Sequence, residues 1–323
     1  MVSEAERARL PARRAIEALR AGVPSRYAVE ALGAGQPAIE SRVRQQLEDA
    51  ARAGVTGRQV PGTLIAGGFG SGKSHLLEYI EHVALAENFV CSRIVVSKET
   101  PLYDPVKVYR AAVESAMAPG RRGAAVTEIV ATLDVRGEPY QELLQWAHPS
   151  ESGLNARFAA LTFLMDMRYS GPEARDRIIA HLSGDPLGVA QIRVWLREAR
   201  ADMMYKLTPI PNAALAQERF RYTPRLFAAA GYAGWVLLFD EVELIGRYSV
   251  MQRARSYAQL ARWLGKGTGA GLPGITAVMA ITSDFAAAVI EPGGKHDLET
   301  LPARLSARGN RMSWSCSSRR NGA

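Results

Sequence analysis

The residues with the clearest chemical potential form one glycine-rich run, Gly67-Gly68-Phe69-Gly70-Ser71-Gly72-Lys73-Ser74. This run matches every fixed position of G-x-x-x-x-G-K-[ST], the pattern of a phosphate-binding P-loop. Glycines allow backbone N–H groups to turn toward an anion. Lys73 can reach the β- and γ-phosphates as a point charge, and the Ser74 hydroxyl suits Mg²⁺. We therefore predict that residues 67–74 and the adjoining His75 bind ATP.

A second candidate segment lies far downstream, where the apolar run Trp235-Val236-Leu237-Leu238-Phe239 ends in Asp240 and Glu241. Continuous apolarity is typical of a strand buried on both faces of a parallel sheet. Acids at its carboxyl end would lie in the crevice where open α/β sheets bind ligands. We predict that Asp240 and Ser74 hold Mg²⁺. Glu241 would deprotonate the attacking water, acting as a catalytic residue together with Lys73. The alternative is an ordinary strand end, where acids are common.

The segments around these motifs predict the elements that position them. Residues 63–66 read as a strand and residues 75–83 as a helix, which is the strand–loop–helix context that a P-loop needs. Residues 89–96 and 275–281 read as further strands. Thr282, at the end of the latter, could sense the γ-phosphate or be an ordinary polar strand end. Ser97 and Thr100 could similarly restrain Glu241 in a resting state.

The order of these elements predicts a parallel-sheet α/β P-loop NTPase with additional helices. A helical N-terminal segment, 1–56, precedes the core, which we place at 57–119 and 223–310. A strand crossover needs only about a dozen residues, so most of 120–222 is predicted to be a helical insertion. Capping patterns predict a helix from Asp104-Pro105, another from Thr223-Pro224, and a third from Ser249. The tail, 311–323, lacks aliphatic periodicity and is predicted to be disordered or aberrant.

Composition excludes several classes of protein. Of the 323 residues, 47% are hydrophobic and 22% charged, which is ordinary for a globular domain. No apolar stretch reaches the roughly 18 residues of a membrane span, and the N-terminus lacks a signal-peptide core. Two cysteines cannot form a disulfide framework, and Cys91, in an apolar strand, is expected to be buried and inert. We therefore predict a cytoplasmic protein.

The net charge of +8 suggests nucleic-acid binding, but its distribution weakens that reading. Residues 304–323 contain five arginines and no acid. The rest of the chain has 35 basic against 32 acidic residues, or +3. The body of the protein is therefore only mildly basic.

Three segments, 12–24, 67–77 and 97–105, resemble the ATP-binding protein family of BREX phage-defence systems, P-loop ATPases of the ASCE/AAA+-like, ORC-like type. The resemblance covers about residues 10–310. It implies an ATPase that works with other BREX components, including a DNA methyltransferase, to mark host DNA and block phage. By motif match, Lys73 and Ser74 correspond to the phosphate and Mg²⁺ ligands, Asp240 to an Mg²⁺ ligand and Glu241 to the residue that activates water. Beyond about residue 310 family members continue with further helices, so this end is expected to be either a native tail or a truncated replacement.

These observations leave three functional classes. The leading prediction is an Mg²⁺-dependent ATPase that acts as a switch or motor in a BREX-type complex. The alternative is a nucleotide-gated protein-interaction module with little or no hydrolysis. A small-molecule P-loop kinase fits less well, because adjacent Asp240 and Glu241 follow the strand. Other BREX proteins are the expected partners, DNA and a second copy of the chain are further candidates, and no membrane is expected.

Overall fold

The computed structural model describes residues 33–121, 124–166, 170–267 and 271–307, together with Arg13, Ile16, Glu17, Arg20 and Val29. The helices predicted before residue 33 lie almost entirely outside these ranges. The tail predicted at 311–323 lies wholly outside them.

Within the described ranges, four strands form one parallel sheet: β1 (Thr63–Gly67), β2 (Val90–Val95), β3 (Trp235–Asp240) and β4 (Ile275–Thr282). Their order across the sheet is β1-β4-β3-β2. The register pairs Gly67 with Thr282 and Val95 with Asp240. The carboxyl ends of all four strands therefore meet at one edge. This confirms the predicted strands and the parallel α/β sheet.

Helices cover both faces of this sheet, and those of residues 125–198 pack chiefly on other helices. Their bounds are α1 (Pro37–Ala53), α2 (Lys73–Ala86), α3 (Pro105–Glu114), α4 (Ala125–Ala131), α5 (Glu138–Trp146), α6 (Pro149–Ser152), α7 (Arg157–Leu164), α8 (Pro172–Leu182), α9 (Val189–Glu198), α10 (Asn212–Ala229), α11 (Val250–Trp263) and α12 (Asp297–Ala307). A 3₁₀ helix (Val242–Arg247) and a π-helical turn (Ala286–Ile290) complete the described elements.

Strand β3 shows how the sheet divides the core. All six of its residues are buried. Val236 and Leu238 pack in a cluster with residues of α1 and α2, such as Leu47 and Leu77. The alternate residues of β3 belong to the larger cluster, which also contains residues of the helices between β2 and β3. They are Trp235, Leu237 and Phe239. Because strand side chains alternate between faces, an uninterrupted apolar sequence is what this doubly covered position requires.

The predicted helix start at Thr223-Pro224 is wrong. Helix α10 begins at Asn212 and continues through Pro224 to Ala229, so the predicted boundary at 222–223 falls inside one helix. Proline normally disrupts a helix interior, because it removes a backbone N–H. Here packing outweighs that loss: Phe220 and Phe227 are fully buried on either side of it. Thr223 does not cap a helix, and its Oγ1 lies 2.8 Å from the Tyr109 hydroxyl.

Other local predictions are confirmed or need small changes. Ser249 and Gln252 form a reciprocal capping box at the start of α11. The helix predicted from Asp104-Pro105 ends at Glu114, and Met117 forms an antiparallel bridge with Cys91 of β2. Burial raises the pKa of the Cys91 thiol well above its ordinary value, so this cysteine is held in its unreactive form.

Replacing Asp104 with alanine should destabilise the protein by about 1 kcal/mol. Its carboxylate accepts hydrogen bonds from the backbone N–H groups of Val106 and Lys107, at 3.0 and 3.3 Å, and so caps α3. Urea unfolding would measure the effect. Asp176→Ala, at an exposed position inside α8, is the control and should not destabilise the protein. Equal losses for both variants would contradict the capping role.

Candidate functional site

The loop between β1 and α2 has a backbone that glycine makes possible. Gly70 and Gly72 have φ angles of 74° and 84°, in the left-handed region that side chains disfavour. Gly72 is also the N-cap residue of α2, immediately before Lys73. A Cβ on Gly67 would lie 2.5 Å from the Ser71 Oγ, so a side chain there would displace the Ser71 hydroxyl. The loop leads directly into a helix N-terminus, where backbone N–H groups favour an anion.

The Lys73 side chain folds back over this loop. Its Nζ donates hydrogen bonds to the carbonyl oxygens of Gly67 and Gly68, each at 2.9 Å. The ammonium group therefore lies at the start of the glycine-rich loop. Phe69 is fully exposed at the loop.

The structure brings Ser74 and Asp240 together across 166 positions of sequence. The Ser74 hydroxyl donates to Asp240 Oδ2 at 3.0 Å. Asp240 Oδ1 accepts from the backbone N–H of Glu241 at 3.0 Å. Asp240 itself is buried at the end of β3. A hydroxyl and a carboxylate oxygen side by side are the hard ligands that Mg²⁺ prefers, usually with substrate phosphates completing the shell. This pair therefore fits an Mg²⁺ ion brought in with a nucleotide.

Glu241 has an unusual backbone and a perturbed carboxyl group. Its φ of 59° is in the left-handed region, which is uncommon for a residue other than glycine and recurs at functional sites. Burial and the neighbouring carboxylates of Glu243 and Asp240 raise its pKa, while Lys73 and Arg247 act in the opposite direction. A raised pKa makes this carboxylate a better proton acceptor than an ordinary glutamate. The residue as a whole is exposed at the edge of the sheet, so this burial of the carboxyl group is partial.

Thr282 and His75 have different neighbours. Thr282 pairs in register with Gly67, and the next residue, Ser283, donates its backbone N–H to the Gly67 carbonyl at 3.2 Å. Thr282 therefore lies beside the start of the glycine-rich loop. His75 points elsewhere: its Nε2 lies 3.0 Å from the carbonyl oxygen of Gly33. The predicted contact of His75 with nucleotide stays a prediction.

Ser97 and Thr100 form a turn of their own after β2. The Ser97 hydroxyl accepts from the backbone N–H groups of Glu99 and Thr100, at 3.1 and 3.0 Å. The Tyr248 hydroxyl donates to the Ser97 carbonyl at 3.0 Å, which links this turn to the segment that follows Glu241. A direct restraint of Glu241 by Ser97 or Thr100 stays a prediction.

Arg93 also contacts this site, although it was not among the predicted site residues. Its guanidinium lies 3.0 Å from Asp240 Oδ2 and 3.0 Å from Glu78 Oε2. One signal was available, because Arg93 is the only charged residue in the strand-forming run 89–96. A cation in an otherwise apolar strand needs a partner, since burying an unpaired charge is unfavourable.

A parallel α/β sheet whose first strand passes through a glycine-rich loop into a helix is compatible with a P-loop NTPase. A family model described as BREX system ATP-binding protein BrxC/D matches residues 8–135 and 212–313. The chain belongs to this family, which confirms the resemblance predicted from the sequence. Family membership supports ATP binding in a BREX defence system and implies other BREX proteins as partners.

Searches of curated proteins and of solved structures found no match to the chain. The family model passes over residues 136–211, the segment that contains α5 to α9. Within the described ranges, no helix is both long and apolar enough to span a membrane.

Proposed function

We propose that this protein is a cytoplasmic, Mg²⁺-dependent ATPase with an ASCE/AAA+-like core, acting as a switch or motor in a BREX complex. The observation that carries the proposal is the 3.0 Å contact between Ser74 and Asp240. It joins the first turn of the P-loop helix to the strand end that carries Glu241. A phosphate-binding loop, an oxygen ligand pair for a cation and a carboxylate base therefore converge at one edge of the sheet.

Each residue has a distinct role in the proposed reaction. The N–H groups of 67–74 and the Lys73 ammonium bind the phosphates. Ser74 and Asp240 hold Mg²⁺, which neutralises negative charge on the β- and γ-phosphates when bound. Glu241 accepts a proton from the attacking water. Strand β4 lies between β1 and β3, so Thr282 lies between the loop and the strand of Glu241, where a hydroxyl can respond to the γ-phosphate.

The helices of 120–222 supply the proposed contact with partners. The family model passes over most of this insertion, as expected if the insertion adapts a shared core to particular partners. Helix α10 packs against α3 on the sheet and against α5 in the insertion. Because α3 packs on β2, the insertion is connected to the sheet through α10 and α3. Other BREX proteins or DNA are its proposed ligands.

Nucleotide binding and turnover by the purified full chain test the proposal. We expect ATP to bind with Mg²⁺ present, and phosphate release to require Mg²⁺ and to respond to DNA or companion BREX proteins. Tight ATP binding without turnover under every condition would instead support the nucleotide-gated interaction module. Absence of ATP binding would overturn both.

A further inference from the structure

Arg93 lies between two carboxylates, those of Glu78 and Asp240, and Asp240 belongs to the proposed cation site. From β2 its Nη2 contacts Asp240 Oδ2 and its Nη1 contacts Glu78 Oε2, both at 3.0 Å. The exposed fractions of the three side chains are 24% for Arg93, 9% for Asp240 and 22% for Glu78. All three are sheltered enough for their mutual charges to be less screened than on an open surface.

The oxygen that Arg93 contacts is also the one nearest Ser74. Asp240 Oδ2 accepts from the Ser74 hydroxyl and from Arg93, whereas Oδ1 accepts from the Glu241 N–H. A cation held between Ser74 and Asp240 must use the electron density of this same carboxylate. Two positive groups on one carboxylate repel each other, and the repulsion is stronger in a partly buried site. Arg93 therefore competes electrostatically with a bound divalent cation.

Glu78 moderates this competition. It follows Ser74 by four residues on α2, so both side chains lie on the same face of the helix. Glu78 accepts from Nη1 of the guanidinium, whereas Asp240 accepts from Nη2, so Glu78 neutralises part of the charge that acts on Asp240. Without Glu78, the whole positive charge of Arg93 would act on Asp240.

We propose that Arg93 is a resident counter-ion of Asp240 that opposes divalent-cation binding, and that Glu78 sets the strength of this opposition. The inference rests on the proposed function, since it concerns the cation bound with the nucleotide. Arg93 and Glu78 are positioning residues, because both act through Asp240. The arrangement keeps the buried Asp240 carboxylate paired when no nucleotide is present and sets the Mg²⁺ concentration at which the site fills.

Two substitutions should change the Mg²⁺ requirement in opposite directions. Arg93→Gln removes the competing charge, so the Mg²⁺ concentration for half-saturation should fall about tenfold. Glu78→Gln removes the moderating charge, so the half-saturating concentration should rise several-fold. The full chain is titrated with Mg²⁺ in the presence of a saturating concentration of a non-hydrolysable ATP analogue. The melting temperature and calorimetry report how much Mg²⁺ is bound. Metal-free Arg93→Gln should also melt at a lower temperature than wild type, with the loss reversed by Mg²⁺ and the analogue.

The controls separate this inference from the proposed function. Arg44→Gln removes a different ion pair, with Glu87, and should leave the Mg²⁺ titration unchanged. If Arg93→Gln does not fold, the Mg²⁺ titration of Glu78→Gln tests the proposal. Arg93→Lys is expected to fold and to keep a near-wild-type Mg²⁺ requirement, because its charge is retained. Unshifted titrations, or shifts in the same direction, in proteins that bind the analogue would overturn the role of Arg93. A wild-type chain that binds no analogue would overturn the proposed function itself.

Discussion

Lys73→Ala is expected to abolish productive ATP binding and turnover while leaving the fold intact. The Lys73 ammonium lies over the glycine-rich loop, 2.9 Å from two of its carbonyl oxygens, and is thus preorganised for a phosphate. Removing one preorganised charged donor commonly costs on the order of 10²–10³-fold in rate. Fluorescent-nucleotide binding and phosphate release would measure the loss, and the melting temperature would confirm that the variant is folded.

Lys107→Ala is the matched control, because it removes a lysine that is exposed on α3. It should change neither nucleotide affinity nor turnover. If folded Lys73→Ala binds and hydrolyses ATP like wild type, residues 67–74 do not form a phosphate site, and the remaining assignments fail with them.

The strands and the loop could be predicted because their signals are local. A strand covered on both faces has to be apolar throughout, as β3 is, and a tight turn around an anion requires glycines at positions such as Gly70 and Gly72. Asp104 and Ser249 mark helix starts through contacts only two or three residues away. In each case, the residues that determine the structure are close neighbours in sequence.

Contacts between distant segments could not be predicted in the same way. Pro224 predicted a helix start, yet α10 continues through it. Buried aromatic residues precede and follow Pro224 in this helix. Neither the position of β4 between β1 and β3 nor the pairing of Arg93 with Asp240 follows from local sequence. Both arise when the sheet assembles, because only then do residues 147 positions apart meet.

The insertion contains a similar example in His181 and Arg219. Each is polar and lies on a helix, so sequence alone suggests an exposed position. Both are buried, and an Arg219 Nη2 lies 2.9 Å from His181 Nδ1. Burial, followed by the charge of Arg219, lowers the pKa of His181 to about 3. The same Nδ1 lies 2.7 Å from the Asp185 carbonyl oxygen, which also accepts from Arg219 Nη2 at 3.0 Å, so two distant segments meet around a neutral, buried ring.

Glu241→Gln should separate ATP binding from hydrolysis. Glutamine keeps the shape and hydrogen-bonding capacity of the side chain but cannot accept the proton of the attacking water. We expect turnover to fall by about 10²–10⁴-fold, while ATP still binds with Mg²⁺. Asp240→Asn should instead weaken the dependence on Mg²⁺, because Asp240 contacts the Ser74 hydroxyl rather than the water. Normal hydrolysis by Glu241→Gln would mean that the base lies elsewhere.

Glu243→Gln provides both the control and a test of the pH dependence. Glu243 raises the pKa of Glu241 through its negative charge, second only to burial among the causes. Activity requires the deprotonated base, so turnover should be lost as the pH falls through the Glu241 pKa, which lies above that of an ordinary glutamate. Removing the Glu243 charge makes deprotonation easier. The acid limb of the pH–rate profile should therefore move to lower pH in Glu243→Gln, with little change in turnover on the plateau. A limb that does not move, or moves to higher pH, would show that Glu241 does not control that ionisation.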